Sequence, residues 1–151
     1  MKRFISIICM LLFFILLLGG CSKYPNNPPE LNIIGNSISF QGTVCDGNWI
    51  NSENGSSFAD GLDVEVAKNI KAVAVRGGST LNLKLTYSKD ISNFRVQKIE
   101  GTSLDTRKSI DLNISNYKME VPKEKGEYTY NVEVDWDDKH GVGYVFKIEV
   151  K

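Results

Sequence analysis

Histidine is almost absent from this chain of 151 residues, which contains only His140. A serine or cysteine nucleophile needs a base that a third group orients, and a single histidine in the turn 138–141 is poorly placed for that role. The chain also lacks the histidine and cysteine spacing of a metal site and a glycine-rich phosphate loop that opens a helix. We therefore expect a protein that is not an enzyme and that holds neither a metal nor a cofactor.

An excess of charge of either sign is also missing, since 18 basic side chains face 18 acidic ones. A nucleic-acid-binding surface needs clustered lysine and arginine, so no nucleic-acid partner is expected. Asp135, Asp137 and Asp138 form the densest acidic group. Because neighbouring strand residues point to opposite faces, a solvated turn explains this group better than a metal site.

A long hydrophobic run occurs only at the N-terminus, where Lys2 and Arg3 precede the apolar stretch 4–18. That stretch is about fifteen residues long, whereas a helix that crosses a bilayer needs about twenty. A basic start, an apolar run and small residues in this order are typical of a secretory signal peptide. Residues 1–20 are therefore predicted to be removed on export.

The sequence Leu18-Gly19-Gly20-Cys21 resembles the bacterial lipobox, in which small residues precede an acceptor cysteine. The resemblance implies that Cys21 becomes the mature N-terminus, with a diacylglycerol on its sulfur and usually a third acyl chain, such as palmitate, on its amine. Two chains give lasting attachment, at about 0.8 kcal/mol per buried methylene, where one holds a protein only marginally. The cell membrane would then be a partner, with the protein on its extracytoplasmic face. An ordinary signal peptide with a cysteine nearby is the alternative.

Residues 21–35 carry three of the four prolines and are predicted to form a flexible linker before a folded domain at 36–151. Leu31, Ile33 and Ile34 leave open an edge strand that begins earlier. With Cys21 assigned to lipid, Cys45 is the one cysteine of the domain, and no disulfide is expected. A small buried hydrophobic residue is the common role for such a cysteine, and a reactive thiol is the alternative.

Most of the domain shows the period-two alternation of half-buried strands. The alternating runs are 38–44, 81–87, 94–96, 110–114, 117–121, 128–136 and 144–150. The last two runs are joined by a short Asp/Lys/Gly turn, which predicts a hairpin. Over 62–75 we favour a strand over a short helix. Ile99 falls on the opposite parity to Val96, which indicates a bulge or a strand end.

The sequence Lys125-Gly126-Glu127-Tyr128-Thr129-Tyr130 resembles the approach to strand F of immunoglobulin-like domains, where Gly-x-Tyr forms a tyrosine corner. Tyr130 stands at the usual cysteine position, so the resemblance is to the disulfide-free modules of bacterial surfaces. It implies an all-β fold, an immunoglobulin-like antiparallel β-sandwich of about seven or eight strands. The C-terminal hairpin is also similar to those of small lipoproteins of Gram-positive bacteria.

The stretch 45–61 is the least regular part of the domain and is rich in Gly, Asn, Asp and Ser. Trp49 and Phe58 are its large side chains, and they either cap an open end of the core or form an exposed surface for a sugar or a peptide. Asp46 and Asp60 lie near them, in a spacing that matches no tight calcium loop. These four residues are the candidate binding site, because loops on a rigid scaffold commonly carry function.

The expected function is that of a lipid-anchored, non-enzymatic binding or envelope-interaction module, whose ligand is a protein, a peptide or a glycan. A protease-inhibitor-like role is an alternative, and it requires an exposed, rigid loop that enters an active-site cleft. A secreted hydrolase is a further alternative, which predicts a polar pocket with paired acids.

Overall fold

The computed structural model describes residues 23–50, 56–59 and 62–151, with only the backbone at 56–59. The predicted signal peptide, Cys21 and Asp60 lie outside these residues. The described chain forms eleven strands, one short helix α1 (Asp63–Lys68) and a 3-10 turn (Leu104–Thr106). The strands are β1 (Leu31–Ile34), β2 (Ser39–Gln41), β3 (Thr43–Trp49), β4 (Ser56–Ala59), β5 (Val73–Val75), β6 (Thr80–Leu85), β7 (Asn93–Glu100), β8 (Lys108–Asp111), β9 (Lys118–Glu120), β10 (Gly126–Asp137) and β11 (His140–Val150).

These strands form two sheets that enclose one hydrophobic core. The small sheet has the order β2-β1-β6-β9, and the large sheet has the order β4-β3-β11-β10-β7-β8. Strand β5 joins the large sheet by pairing parallel to the end of β11, and the other pairs are antiparallel. The predicted all-β antiparallel sandwich is therefore confirmed. It has more strands than expected, partly because the run 38–44 is divided at Gly42 and the stretch 45–61 contributes to β3 and β4.

The strand order agrees with the resemblance to immunoglobulin-like domains. Strands β1-β6-β9 and β7-β10-β11 lie in the order A-B-E and C-F-G of that sandwich. The hydroxyl of Tyr128 donates to the backbone carbonyl of Glu124 at 3.0 Å, which is the predicted tyrosine corner. Tyr130 is buried at the cysteine position, and its ring stacks on that of Phe146 with 5.2 Å between centroids. This ring stack joins neighbouring strands of the large sheet, whereas the disulfide of antibody domains joins the two sheets.

The predicted hairpin is confirmed as β10 and β11, which are twelve and eleven residues long. Their register is continuous from Gly126 opposite Val150 to Asp135 opposite Gly141, with an irregularity before the turn. The alternation sends one face of both strands into the core. The residues of that face are buried: Tyr130, Val132, Val134, Trp136, Val142, Tyr144, Phe146, Ile148 and Val150.

Helix α1 corrects the strand that the sequence favoured at the start of 62–75. Its six residues lie against β11 on the outer face of the large sheet, where Ala67 packs on Val145 and Cys45. Asp63 and Glu65 in the first turn and Lys68 in the last turn complement the helix dipole. A helix this short is not stable by itself, so its packing on the sheet decides the conformation. Only the later part of the stretch, β5, is a strand.

Of the two alternatives predicted at Ile99, the bulge is wrong and the strand end is confirmed, because β7 ends at Glu100. Strand β7 pairs with β10 in unbroken register from Asn93 opposite Asp135 to Ile99 opposite Thr129. Ile99 is buried on the outer face because α1 covers this part of the sheet, and it lines a crevice there together with Val64 and Ala67. Its change of parity therefore marks a second, smaller apolar layer under the helix.

The segment predicted as a flexible linker packs on the domain from Tyr24 onward. Tyr24 is 8% exposed, and Leu31 and Ile33 are fully buried. Strand β1 lies between β2 and β6 rather than at an edge. The folded domain therefore begins by Tyr24, more than ten residues before the predicted boundary at 36. No helix in the described part of the chain is long and apolar enough to cross a membrane.

Candidate functional site

The residues predicted as a binding site do not share one surface in the structure. Trp49 is 1% exposed, so it takes the core-capping role and not that of an exposed recognition surface. Asp46 is exposed on the opposite face of the same strand. The backbone of Phe58 pairs with Gly47 in the hairpin of β3 and β4, and its side chain lies outside the described residues, as does all of Asp60.

Trp49 belongs to a group of rings at one end of the sandwich, which we call the end cluster: Tyr24, Trp49, Trp136 and His140. The ring centroid of Tyr24 lies 4.1 Å from that of His140 and 6.0 Å from that of Trp49. The two indoles meet edge to face at 5.1 Å. Such pairs contribute about 0.5–1.5 kcal/mol each beyond the area that they bury. The end cluster therefore joins the N-terminal segment to the hairpin of β10 and β11.

Hydrogen bonds fix the end cluster at its rim. The indole Nε1 of Trp49 donates to the carbonyl of Pro25 at 2.8 Å. Asp137 Oδ1 lies 2.7 Å from His140 Nδ1 and accepts from the backbone N–H of Lys139 at 2.9 Å. Partial burial acts to raise the pKa of Asp137, but hydrogen bonds from His140, Lys139 and Tyr24 outweigh it and lower the pKa to about 2.

His140 lies at the turn, as predicted, but its side chain is buried and is not solvated there. It is 5% exposed, packed against the ring of Tyr24 and paired with Asp137. The imidazole thus serves as a packing and hydrogen-bonding group. Asp135 also has a structural partner, since its Oδ2 accepts from Asn93 Nδ2 at 2.9 Å.

Asp46 borders a shallow groove of about 190 Å³ on the outer face of the large sheet, away from α1. Glycines form much of its floor, and a Cβ on Gly143 would collide with the carboxylate of Asp46. Glu133, on the far wall, forms an ion pair with Arg95. No group of three or more His, Cys, Asp and Glu in the described part of the chain is arranged to hold a metal ion. The groove is therefore a polar surface whose acids are partly neutralised.

A larger cavity, of about 460 Å³, lies beside β9 and the loop 112–116. Leu112, Ile114 and Met119 supply apolar lining, and the polar lining residues are Thr80, Asn113, Ser115, Asn116, Lys118 and Glu120. Ligand cavities commonly have volumes of about 300–1,000 Å³. This cavity was not predicted. The sequence shows the alternating runs 110–114 and 117–121 here, and it does not indicate that the connection between them lies away from the sheet.

Strand β9 is the last strand of the small sheet, and within the described residues it pairs with β6 alone. The N–H of Leu83 donates to the carbonyl of Tyr117, and that of Val121 donates to Ser79, both at 2.8 Å. Because the hydrogen bonds of an antiparallel ladder alternate, the backbone groups of Lys118 and Glu120 point away from β6.

One of these outward groups has a local partner, since the N–H of Lys118 donates to the carbonyl of Ser115 at 3.0 Å. The carbonyl of Lys118 and both backbone groups of Glu120 also point away from β6, and these two residues line the cavity. Asn116 and Tyr117, just before the strand, have φ angles of 53° and 57°. Tyrosine rarely adopts this left-handed region, and such strained positions cluster at functional sites. The free edge of β9 can thus accept and donate hydrogen bonds to an extended chain.

Comparisons with known proteins add nothing to this geometry, because no family model and no curated protein matches the chain.

Proposed function

We propose that the protein is a bacterial lipoprotein, held on the extracytoplasmic face of the cell membrane through Cys21, and that it acts as a non-enzymatic binding module. Its ligand is an extended peptide segment of another protein, which lies along the free edge of β9. The observation that carries the proposal is the cavity of about 460 Å³ beside that edge.

The anchor is supported by the N-terminal sequence. A basic start, an apolar run, two glycines and Cys21 follow one another in the order of a lipoprotein signal. The packed domain begins only three residues after Cys21, at Tyr24. In a bacterial host, the wild-type protein should therefore sediment with membranes, and the Cys21→Ser variant should be released or remain unprocessed. Because an uncleaved signal peptide also holds a chain at the membrane, equal membrane association of the two proteins would count against the lipid anchor if the variant has lost residues 1–20.

The peptide ligand is supported by the backbone of β9. A peptide added to a sheet edge gains main-chain hydrogen bonds for affinity and uses alternate side chains for specificity. Each such bond contributes about 0.5–1.5 kcal/mol net. The lining beside the edge supplies Leu112 and Ile114 for apolar side chains, with Lys118 for acidic ones. An extended segment with both apolar and charged residues fits this surface.

The test uses the mature chain with Cys21→Ser, which removes only the proposed lipid acceptor, and a displayed library of random peptides as the probe. Peptides selected by this protein should bind the Glu120→Pro variant about tenfold more weakly, a loss of about 1.4 kcal/mol. Proline removes the outward N–H and is tolerated on an edge strand.

Glu120→Ala is the matched control, because it removes the side chain but keeps the N–H. Its affinity for the same peptides should stay within about threefold of the parent, less than the cost of one hydrogen bond. Thermal unfolding of each variant shows that the domain is folded. Failure to select any peptide, or equal binding by Glu120→Pro and the parent, would contradict binding at this edge.

A further inference from the structure

The N-terminal segment 23–30, which we call the strap, is fixed to the domain at several points. Tyr24 lies in the end cluster, and the carbonyl of Pro25 accepts from Trp49. The hydroxyl of Tyr144 donates to the carbonyl of Pro29 at 2.7 Å, in a buried contact. The hydroxyl of Tyr87 donates to the carbonyl of Lys23 at 3.2 Å. The strap therefore has no freedom to act as a spacer.

The short distance between the strap and the proposed acceptor limits where a lipid could be. An extended chain covers at most about 3.3–3.6 Å per residue, so the Cα of Cys21 lies within about 11 Å of that of Tyr24. Acyl chains on Cys21 would enter the bilayer from this point. The surface around Tyr24 must then lie close to the headgroups.

That surface is the end of the sandwich at the turn between β10 and β11. The N–H of Ile50 donates to the carbonyl of Lys139 at 3.1 Å, which places the end of β3 beside the turn. Ile50 is 40% exposed there. The exposed charges nearby balance one another: Lys23, Lys89 and Lys139 with Asp90, Asp137 and Asp138. Electrostatic attraction to anionic lipid therefore contributes little to the orientation of the domain, which depends on the anchor.

The opposite end of the sandwich is far from this surface. Strand β10 has twelve residues, and at about 3.4 Å per residue it separates Lys125 from the turn by about 40 Å. The proposed peptide site lies on the distal side as well. Leu85, at one end of β6, pairs with Leu31 beside the strap, whereas Thr80, at the other end, pairs with Glu120.

We infer that the strap holds the domain upright on its lipid anchor, with the turn between β10 and β11 against the membrane surface and β9 toward the end of the domain that is far from the membrane. This inference rests on the proposed anchor at Cys21. It differs from the usual picture of a lipoprotein domain that moves freely on a linker, because the packed residues leave no linker of useful length.

The test measures energy transfer to labelled lipid. The full lipidated protein, extracted from membranes, is reconstituted into phosphatidylcholine vesicles that carry an acceptor-labelled lipid. A donor dye is attached to Lys139→Cys or, as the matched distal control, to Lys125→Cys. Both positions are exposed, and the buried thiol of Cys45 does not compete for the dye. Transfer from position 139 should exceed that from 125 about threefold or more, given a separation of about 40 Å.

A second pair of proteins carries a Gly/Ser insertion of about a dozen residues after Ser22, which restores a flexible spacer and leaves the strap intact. The difference between the two positions should then fall by more than half. Equal transfer from the two positions without the insertion, or an unchanged difference with it, would overturn the inference. Failure of the protein to sediment with the vesicles is a separate result, because it would overturn the anchor itself.

Discussion

The ring of Tyr24 lies 4.1 Å from the imidazole of His140, at an angle of 35°, and this contact joins the first packed residues of the domain to its last hairpin. Tyr24 is close to the proposed lipid acceptor, and His140 begins β11, which pairs with three other strands of the large sheet. The start of the described chain and the most central hairpin are therefore parts of one packed unit.

The first prediction concerns the strength of that contact. Tyr24→Ala removes the ring from a site bounded by Trp49, Tyr87 and His140. The free energy of unfolding should fall by about 2–4 kcal/mol, near the values for large buried aromatic residues. Urea unfolding followed by tryptophan fluorescence measures the change. Leu104→Ala, at a side chain that is 51% exposed, is the control and should change stability by less than about 0.5 kcal/mol. Similar small effects of both substitutions would show that the strap is not held by Tyr24.

A second prediction concerns acid stability at the turn. Burial acts to raise the pKa of Asp137, but hydrogen bonds from His140, Lys139 and Tyr24 lower it from its ordinary value of 3.8 to about 2. A carboxyl with a lowered pKa stabilises the folded state above its unfolded pKa, and this contribution is lost as the pH falls through the folded pKa. The wild type should therefore be more stable than Asp137→Asn at pH 5.

The difference in the free energy of unfolding between these two proteins should decrease as the pH falls from 4 to 2. Urea unfolding at a series of pH values measures it. Because Asp137 is more than one third exposed, solvent screening makes the effect modest. A stability difference that stays constant over this range would show that the ionised carboxylate is not the stabilising form.

The ion pair between Arg107 and Asp63 provides a third prediction. Asp63 is 5% exposed, and its carboxylate accepts from Arg107 Nε at 2.8 Å and from Nη2 at 2.6 Å. Removal of one partner from a buried pair leaves an unpaired charge and costs about 3–5 kcal/mol. Because the Arg107 side chain is 32% exposed, we expect Arg107→Gln to lower the free energy of unfolding by a smaller amount, about 2–3 kcal/mol.

Asp63→Asn combined with Arg107→Gln should lower the free energy of unfolding by less than the sum of the two single changes, because the double variant leaves no unpaired charge. Thermal or urea unfolding of the four proteins gives the coupling energy. Additive effects would mean that the two side chains do not interact in solution. Far-ultraviolet circular dichroism shows whether the fold is otherwise kept.

The fourth prediction concerns the lone thiol of the described domain. Burial, together with the nearby carboxylate of Asp46, raises the pKa of Cys45 from its ordinary value of 9.0 to about 12. The thiolate is the reactive form, so its population near neutral pH falls about a thousandfold. Cys45 should resist a thiol reagent such as dithiobis-nitrobenzoate at pH 8 and react rapidly in concentrated urea. Fast labelling of the folded protein would identify Cys45 as a reactive site, the alternative that the sequence left open.

The sequence predicted the elements that carry their own periodicity. The hairpin of β10 and β11 alternates over more than twenty residues, and the corner at Tyr128 depends on a local Gly-x-Tyr sequence. The sequence did not predict α1. Six residues are too few to show a helical pattern of apolar side chains, and so short a helix depends on its packing against Val145 and Cys45. The strap was missed for a related reason. Its main contact is with His140, near the other end of the chain, and no local pattern reports a contact between distant residues.

The candidate site was also predicted only in part. Trp49 was recognised as a large residue with two possible roles, and its partner Tyr24 decides between them. The free edge of β9 depends on which strands pair, and this is a property of the whole sandwich. The loop at Asn116 offered one local signal, because asparagine tolerates a positive φ.

The most direct test of the account is the intact mass of the protein extracted from bacterial membranes, with fragmentation of its N-terminal peptide. We predict a chain that begins at Cys21, with diacylglycerol on the cysteine sulfur and the strap sequence following Ser22 without modification. A chain that begins elsewhere, or a Cys21 that carries no lipid, would contradict both the anchor and the orientation inferred from it.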